Sequence, residues 1–459
     1  MAGATGAGLA SASSLPQAVS AGRVDRPNVL VFFTDQQRWD TVGCYGSPME
    51  LTPNLDRFAR RGVILRNAFT CQPVCAPARA SLQTGKYALA ASVWRNGLRL
   101  PPSEKTLAHW FKEAGYRVGY IGKWHLANTG DKPVPPEARG GYTDLWEAAD
   151  ALEHLSHPYD PKLYDAEDNL IQMEGYRVDA LTERAVRFVT AQSDKPFFLF
   201  LSFLEPHHQN DMNAYVAPEG YAKRFANPWV PPDLRNLPGD WYEHLPNYYG
   251  CVARLDECLG RLMDALEEAG KAQNTVVLFT TDHGCHFRTR NSEYKRSCHE
   301  ASVRIPAVLW GPGLPAGAVV DELVSLVDLP PTLLQAAGLD VPRSMQARSI
   351  LPLLAGQRGG WPDEVYIQIS EAEVGRAIRT RRWKYAVYAP EKRGWEHPDS
   401  DVYVERYLYD LAADPYEQVN LVGRGDYRSV SDELREKLST RMEAAGEARA
   451  EILPARYPA

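Results

Sequence analysis

The feature that most constrains the fold is a series of short, continuously apolar runs that alternate with helical segments. The runs lie in "RPNVLVFFTDQQ", "YRVGYIG", "PFFLFLSF" and "NTVVLFTTDHG". Runs of this length without polar interruption are typical of parallel strands buried on both faces. Between them, "TPNLDRFARRG", "TLAHWFKEAG" and "YYGCVARLDECLGRLMDALEEAG" have the spacing of helices. This alternation predicts an α/β fold with a large mixed, mostly parallel sheet flanked by helices.

The character of the sequence changes after residue 362. "EVYIQISEA", "RAIRTRRWKYAVY" and "ERYLYDL" resemble short strands, and a final helix is predicted near residues 431–448. We therefore expect a larger domain over 26–362 and a smaller C-terminal subdomain, an antiparallel sheet with a helix, over 363–459. Residues 205–248 are rich in Pro, Asn, Trp and Tyr and lack periodicity, which predicts a long functional loop.

Composition limits the function and location of the protein. The formal net charge of -7 over 459 residues argues against a nucleic-acid binder. No apolar run is long enough for a transmembrane helix. Residues 1–25 are small, apolar and uncharged up to Arg23, like the end of an export signal, although a basic start is missing. We expect a leader or signal-peptide remnant and a periplasmic or secreted protein; a disordered leader is the alternative.

Polar side chains follow the predicted strands at their carboxyl ends, where open α/β sheets bind ligands. The residues are Asp35 with Gln36, Lys123 with His125, His207 with His208, and Asp282 with His283. The oxygen atoms of Asp35, Gln36 and Asp282 are ligands suited to Ca²⁺. A histidine nitrogen from His283 is better suited to Mn²⁺ or Zn²⁺. The pattern predicts a divalent cation, with Ca²⁺ expected first and Mn²⁺ or another ion as the alternative.

The cationic groups near this predicted metal site indicate an anionic substrate. They are Lys123, His125, Lys295 and one of His207 and His208. A metal ion and lysines neutralise the oxygens of a tetrahedral ester, and a histidine protonates the leaving oxygen. The combination predicts hydrolysis of phosphate or sulfate esters, but it contains no nucleophile.

The nucleophile is predicted from the segment "CQPVCAPARASLQTG", residues 71–85. Cys75, Pro77 and Arg79 form a C-x-P-x-R pattern that resembles the signature of the formylglycine-dependent sulfatase family, which has an alkaline-phosphatase-like fold. Further segments resemble sulfatase blocks in the same order: "PNVLVFFTDQQRWDTVGCYG", "TPNLDRFARRGVILRNAFT", "GYRVGYIGKWHL", "NTVVLFTTDHG", "KRSCHEASVRIPAVLWGPG" and "LYDLAADPYEQVNL". The resemblance covers residues 26–425.

The resemblance implies a chemical role for each residue of the predicted site. Cys75 would be oxidised to formylglycine by a formylglycine-generating enzyme. The hydrated aldehyde would attack sulfur, and its second hydroxyl would allow the sulfated intermediate to collapse. The implied metal ligands are Asp35, Gln36, Cys75, Asp282 and His283. Of the implied catalytic residues, Arg79 and Lys123 stabilise the hydrate, His125 assists elimination, His207 is the general acid with His208 as fallback, and Lys295 binds a sulfate oxygen.

Two of the implied metal ligands depart from the commonest sulfatase pattern. Gln36 and His283 stand where many members have Asp and Asn. Some related phosphonate and phosphate ester hydrolases share such pairs, so hydrolysis of those esters is the alternative function. A binding protein without catalysis is disfavoured because the nucleophile, metal and acid positions are all present. A disulfide between Cys285 and Cys298 is compatible with the sequence, and so are free thiols.

Basic and aromatic residues near the predicted site indicate the substrate. The segment 285–300 is strongly basic, which favours an acidic substrate over the alternative of a plain solvated loop. Trp94 is suited to stacking on a sugar and Arg95 to pairing with a carboxylate. The predicted substrate-binding residues are Trp94, Arg95, His208, His286, Arg288, Arg290 and Arg376. They predict a sulfated polysaccharide or oligosaccharide that contains uronic acid.

Overall fold

The computed structural model describes residues 26–455, so the predicted leader over 1–25 lies outside the described residues. A large mixed sheet has 11 strands in the order β11-β2-β10-β8-β1-β7-β3-β4-β5-β6, with β9 paired to β2. The strands are β1 (Asn28–Thr34), β2 (Val63–Phe69), β3 (Arg117–Lys123), β4 (Leu145–Ala149), β5 (Lys162–Tyr164), β6 (Leu170–Gln172), β7 (Phe197–Ser202), β8 (Thr275–Thr281), β9 (Arg304–Ile305), β10 (Ala307–Trp310) and β11 (Ala318–Ser325).

The centre of this sheet is parallel and completely buried. Strands β8, β1, β7, β3 and β4 run parallel, and Phe32 of β1 lies opposite Leu201 and Phe279. Every residue of β1, β7 and β8 is buried. Antiparallel pairing is found towards the edges, in β5, β6, β9 and β10. The predicted α/β fold with a mixed, mostly parallel sheet is confirmed.

Helices cover both faces of the sheet. They are α1 (Pro53–Ala59), α2 (Cys75–Thr84), α3 (Leu107–Glu113), α4 (Leu152–Leu155), α5 (Arg177–Thr190), α6 (Tyr221–Arg224), α7 (Pro232–Arg235), α8 (Trp241–Glu268), α9 (Glu300–Val303), α10 (Leu329–Ala336), α11 (Leu351–Leu354) and α12 (Arg428–Ala444). Val29, Val31 and Phe33 of β1 pack with α2, α3 and α10, and Leu30 and Phe32 pack with α1, α5 and α8. Because side chains alternate across a strand, one continuous apolar run supplies both cores.

The predicted loop over 205–248 is only partly correct. It contains the short helices α6 and α7, and the long helix α8 begins at Trp241. Pro246 lies inside α8, near its start, where the ring removes a single backbone hydrogen bond. A cluster of Pro, Trp and Tyr therefore concealed the first turns of the helix.

A second sheet begins at residue 364. Its five strands are β12 (Glu364–Ile369), β13 (Gly375–Thr380), β14 (Trp383–Tyr388), β15 (Val402–Asp410) and β16 (Glu451–Leu453). All of its pairs are antiparallel except β15 with β16, and Leu434, Leu438 and Met442 of α12 pack against it. The backbone N–H of Gln368 donates to the carbonyl of Cys71 at 2.8 Å, which joins this sheet to the start of the predicted nucleophile segment.

Across residues 26–455, no helix combines the length and the apolar composition that crossing a bilayer requires.

Candidate active site

The predicted site residues converge on one edge of the large sheet. Asp35 follows β1, Lys123 ends β3, His207 follows β7, and Asp282 follows β8. These strands are parallel neighbours, so their carboxyl ends lie side by side. The first turn of α2 reaches the same edge and brings Cys75 to it.

The C-x-P-x-R pattern has a structural explanation in helix α2. Cys75 is the first residue of the helix, and its side chain is buried. Pro77 lies in the first turn, where backbone N–H groups have no helical acceptor, so the missing N–H costs nothing. Arg79 follows Cys75 by about one turn and therefore faces the same way. Its Nη2 lies 2.9 Å from Oδ2 of Asp35.

Four buried side chains, including that of Cys75, form a cluster of potential metal ligands. The ligand atoms of Asp35, Cys75, Asp282 and His283 all lie within 4.8 Å of one another. The Cys75 Sγ is 3.6 Å from Asp35 Oδ1 and 3.4 Å from His283 Nε2. The backbone N–H of Gln36 donates to Asp282 Oδ1 at 3.0 Å, so the backbone of Gln36 lies next to this cluster.

This cluster fits a divalent cation. Among the described residues, the buried atoms Gln36 Oε1 and Asp282 Oδ2 have no hydrogen-bond partner, although Arg79 Nη2 lies 3.5 Å from the Asp282 oxygen. Buried polar atoms nearly always have a hydrogen-bond partner, so these unpartnered oxygens are suited to bind a cation. Burial, with the neighbouring Asp35 carboxylate, raises the pKa of Asp282 to about 6. Carboxylate and carboxamide oxygens with one imidazole form a donor set for Ca²⁺ or Mn²⁺.

The carboxamide of Gln36 is held so that its oxygen remains free. Its Nε2 donates to the hydroxyl of Tyr215 at 2.8 Å and lies 3.5 Å from the sulfur of Cys285. The Tyr215 hydroxyl lies 3.3 Å from the same sulfur. Because these acceptors engage the amide nitrogen, which cannot bind a cation, Oε1 is left available as a ligand atom. All seven cysteines are free, so the structure contains no disulfide between Cys285 and Cys298.

Replacing Tyr215 with phenylalanine is expected to weaken cation binding by about 10-fold, because residues that orient a metal ligand typically contribute that much. The affinity for Ca²⁺ is measured by competition with a fluorescent chelator, without reference to activity. Tyr249→Phe is the matched control, since this buried hydroxyl donates to the carbonyl of Trp229. Equal affinities in Tyr215→Phe and the unchanged protein would contradict the orienting role.

Lysine and arginine side chains neutralise the carboxylate of Asp35. Lys123 Nζ lies 2.9 Å from Asp35 Oδ2, the oxygen that also accepts from Arg79. Burial and the Cys75 sulfur raise the pKa of Asp35, but Lys123, His207 and Arg79 more than offset this and hold it well below its ordinary value. Asp35 is therefore ionised and available as a metal ligand at every physiological pH.

Lys295 and His207 face the sulfur of Cys75. Lys295 Nζ lies 2.9 Å from Cys75 Sγ and 3.0 Å from His207 Nε2. His207 Nδ1 lies 2.6 Å from the carbonyl oxygen of His208 and must carry a proton to donate there. Burial raises the pKa of the Cys75 thiol, but Lys123, Lys295 and His283 bring it well below its ordinary value. Negative charge at position 75 is thus strongly stabilised.

The two remaining histidines occupy different surroundings. His125 has a positive φ of 60° and lines an open cavity beside the site. His208 is buried, with Nδ1 3.3 Å from the Asn210 side chain and Nε2 3.2 Å from the Tyr294 hydroxyl. Burial lowers the pKa of His208 to about 4, with His207 and His244 adding to the effect. Burial and Lys295 also lower the pKa of His207, so position distinguishes the two rings: His207 lies 3.0 Å from Lys295 Nζ, beside Cys75.

The cavity beside the site has a volume of about 360 Å³. Its wall includes Arg95, Asn96, His125, Glu153, His154 and Trp395. Arg95 was predicted from the sequence, whereas Trp94 is not part of this wall. Glu153 lies 3.2 Å from Lys123 Nζ, and no local pattern in the sequence signals it. Trp395 was also missed, because it comes from the second sheet.

Two predicted substrate contacts are corrected by their surroundings. Arg290 donates to the carbonyl oxygens of Glu417 at 2.8 Å and Tyr416 at 2.8 Å. Arg376 is 1% exposed and donates to Glu447 at 2.6 Å. Both guanidinium groups are engaged in joining parts of the fold, so neither is free to meet a ligand in the cavity.

Two further residues of the basic segment have structural contacts. His286 is completely buried, and its Nε2 lies 3.0 Å from the carbonyl oxygen of Lys295. The contact supports the Lys295 backbone. Because the His286 ring is buried, substrate does not reach it. Arg288 pairs with Asp240 at 3.4 Å and lies 4.7 Å from the centre of the Tyr294 ring. Asp240 therefore partly neutralises the charge of Arg288, which was predicted from the sequence to bind substrate.

Comparisons with known proteins agree with this geometry. Residues 27–339 match the family described as Sulfatase, and residues 292–444 match the one described as N-sulphoglucosamine sulphohydrolase, C-terminal. An ulvan-active sulfatase of Formosa agariphila is 30% identical over 453 residues, covering 92% of this chain and 82% of that protein. An N-acetylglucosamine-6-O-sulfatase of Bacteroides thetaiotaomicron is 24% identical, with coverages of 90% and 86%.

A solved structure extends the likeness to the whole fold. A Bacteroides fragilis protein described as a sulfatase superposes with a TM-score of 0.78 at 26% identity, covering 96% of this chain and 98% of that chain. The family match over 27–339 includes every strand of the large sheet. This chain therefore belongs to the sulfatase family and is a sulfuric ester hydrolase.

Proposed function

We propose that the enzyme removes sulfate groups from a sulfated polysaccharide or oligosaccharide, with residue 75 acting as formylglycine and a divalent cation, Ca²⁺ first, beside it. The observation that carries the proposal is the position of Cys75, whose sulfur touches both the metal-ligand cluster and Lys295. Cys75 is 1% exposed in the folded chain. A formylglycine-generating enzyme must therefore reach this cysteine before the domain has closed around it.

The cation would be held by Asp35, Gln36, Asp282 and His283, and when bound it supplies Lewis-acid stabilisation of the sulfate oxygens. The aldehyde hydrate supplies a hydroxyl nucleophile and a second hydroxyl for elimination, which a thiol lacks. Conversion also removes the sulfur that now occupies the space between Lys295 and His283. The aldehyde oxygen, carried by the same Cβ, would take the place of that sulfur.

The other side chains act on the hydrate and on the substrate. Lys295 neutralises charge on the sulfate as it develops in the transition state. Lys123, 2.9 Å from Asp35 Oδ2, stabilises the hydrate with Arg79. Lys295 also lies 3.0 Å from His207 Nε2, so the pair holds a proton where the leaving oxygen emerges. His207 delivers that proton to the leaving alcohol. His125, on the cavity wall, assists the elimination that restores the aldehyde.

A carbohydrate substrate is supported by the relatives and by the cavity. One relative is described as active on ulvan and another as acting on N-acetylglucosamine 6-O-sulfate groups. The cavity volume of about 360 Å³ is in the range of ordinary small-ligand sites. Its wall is rich in polar side chains, as the hydroxyl groups of a sugar require. We extend this to a saccharide that contains uronic acid, and to a periplasmic or secreted enzyme.

The proposal is tested with protein made together with a formylglycine-generating enzyme. Defined sulfated saccharides, with and without uronic acid, are incubated with it, and sulfate release is followed by ion chromatography and product NMR. We expect release from sulfated saccharides and slower turnover of matched phosphate and phosphonate esters. Faster turnover of the phosphorus esters would instead support the alternative function.

A further inference from the structure

We propose that Arg95 and Trp395 form a subsite for an acidic sugar next to the sulfated one, in which Trp395 supports the sugar ring and Arg95 binds its anionic group. The anionic group is a carboxylate or a second sulfate. The inference rests on the proposed function and names the substrate class that the cavity selects. Neither residue belongs to the metal cluster or to the group around Cys75.

Trp395 is presented to the cavity by the second sheet. It lies on the segment between β14 and β15, yet it lines the same cavity as His125. The residue is 48% exposed, so its ring is accessible to a ligand in the cavity. Arg296, itself paired with Glu371, lies 5.5 Å from the centre of the ring and fixes one side of it. A ring held in this way provides a rigid surface for stacking.

Arg95 is a cation without a carboxylate partner. Across residues 26–455, no carboxylate oxygen lies within 4.0 Å of its guanidinium, and its one hydrogen bond is from Nη1 to the carbonyl of Asn96 at 2.9 Å. Its buried Nε has no partner among these residues. By contrast, two buried arginines have carboxylate partners: Arg79 pairs with Asp35, and Arg177 pairs with Glu205. An unneutralised guanidinium on a cavity wall is suited to bidentate binding of a carboxylate or sulfate.

Arg95 and Trp395 lie close to each other, and hydrogen bonds connect their surroundings to the helix that carries Cys75. The Arg95 guanidinium lies 6.0 Å from the centre of the Trp395 ring, so one ligand can contact both. Asn96 Oδ1 accepts from the backbone N–H of Ala76 at 3.0 Å, which ties this wall to the first turn of α2. The backbone N–H of Asn96 in turn donates to Glu371 at 2.6 Å.

Glu371 completes the connection to Trp395. Its backbone N–H donates to the carbonyl of Gly394 at 3.0 Å, directly before Trp395. Its side chain accepts from Asn96 and also pairs with Arg296. A continuous set of hydrogen bonds therefore joins the residue after Cys75 to the residue before Trp395. These bonds hold the subsite at a fixed distance from position 75, as recognition of a neighbouring sugar requires.

The test compares Arg95→Gln, Trp395→Ala and Trp395→Phe in the formylglycine-bearing enzyme. The substrates are an acidic sulfated disaccharide, its carboxyl-reduced or singly sulfated counterpart, and para-nitrophenyl sulfate, which has no second sugar and no anionic group besides its sulfate. For Arg95→Gln we expect kcat/KM on the acidic disaccharide to fall about 10- to 100-fold, mainly through KM, because a charged hydrogen-bonded pair is lost. Turnover of the neutral counterpart and of para-nitrophenyl sulfate is expected to change less than about twofold.

For Trp395→Ala we expect a fall of about 3- to 10-fold on both disaccharides, which Trp395→Phe largely restores. Arg393→Ala is the control, because Arg393 lies on the same segment, pairs with Glu396 and is not part of the cavity wall. Separate carboxylate and disulfate substrates show which anion is bound. Equal losses on para-nitrophenyl sulfate would show a structural role and overturn the subsite, as would no loss on any saccharide. An unchanged protein that releases sulfate from no saccharide would instead defeat the proposed function.

Discussion

Cys75→Ala is expected to lower sulfate release by about 10⁴-fold or more, because removing a covalent nucleophile typically has an effect of that size. Its side chain is the one that touches the metal ligands and Lys295 together, so no neighbour can replace it. Activity is measured on para-nitrophenyl sulfate and on a sulfated saccharide. Circular dichroism and thermal unfolding are measured in parallel to show that the variant is folded.

Cys71→Ala is the matched control, since Cys71 is buried four positions before Cys75 and contacts the second sheet through its backbone carbonyl. We expect it to keep activity within about 10-fold, with a loss of stability from the small cavity it creates. Mass spectrometry of the tryptic peptide 67–79 should show an aldehyde at position 75 and a thiol at position 71. Full activity in protein whose Cys75 is entirely a thiol would refute the formylglycine mechanism.

The sequence predicts which residues form the candidate metal cluster because the end of a buried strand can be located from the local sequence alone. The apolar run from Val29 identifies a buried parallel strand, and Asp35 follows where that strand must end. The same reasoning applies to Asp282 after β8. Because the carboxyl ends of parallel neighbours meet at one edge, residues far apart in sequence are brought together without any knowledge of side-chain packing.

The residues of the cavity wall could not be predicted in this way. Arg95 and Trp395 meet because the second sheet docks beside α2, through hydrogen bonds that include Gln368 to Cys71 and Asn96 to Glu371. No local pattern contains that information. Arg376 shows the converse difficulty, since a basic residue looks available in a sequence until its buried partner Glu447 is known. Charge alone therefore predicts recognition poorly where ion pairs cross between elements.

Replacing His207 with glutamine is expected to lower kcat on a sulfated saccharide by about 10²- to 10⁴-fold, the usual contribution of a general acid. The loss on para-nitrophenyl sulfate is expected to be below about 10-fold, because nitrophenolate leaves without protonation. The reason lies in the geometry: His207 Nε2 lies 3.0 Å from Lys295 Nζ, which also contacts Cys75, so in the proposed mechanism this ring lies next to the departing oxygen.

The dependence on the leaving group separates this role from a structural one. A misplaced Lys295 or a distorted metal cluster lowers turnover of both esters equally, whereas loss of a general acid affects only the poor leaving group. His208→Gln provides the matched comparison, since its ring contacts Asn210 and Tyr294 instead of Lys295. We expect its two losses to be similar and smaller. A larger, leaving-group-dependent loss in His208→Gln than in His207→Gln would assign the proton to His208, and the ligand-free arrangement around Lys295 would then have to change when substrate binds.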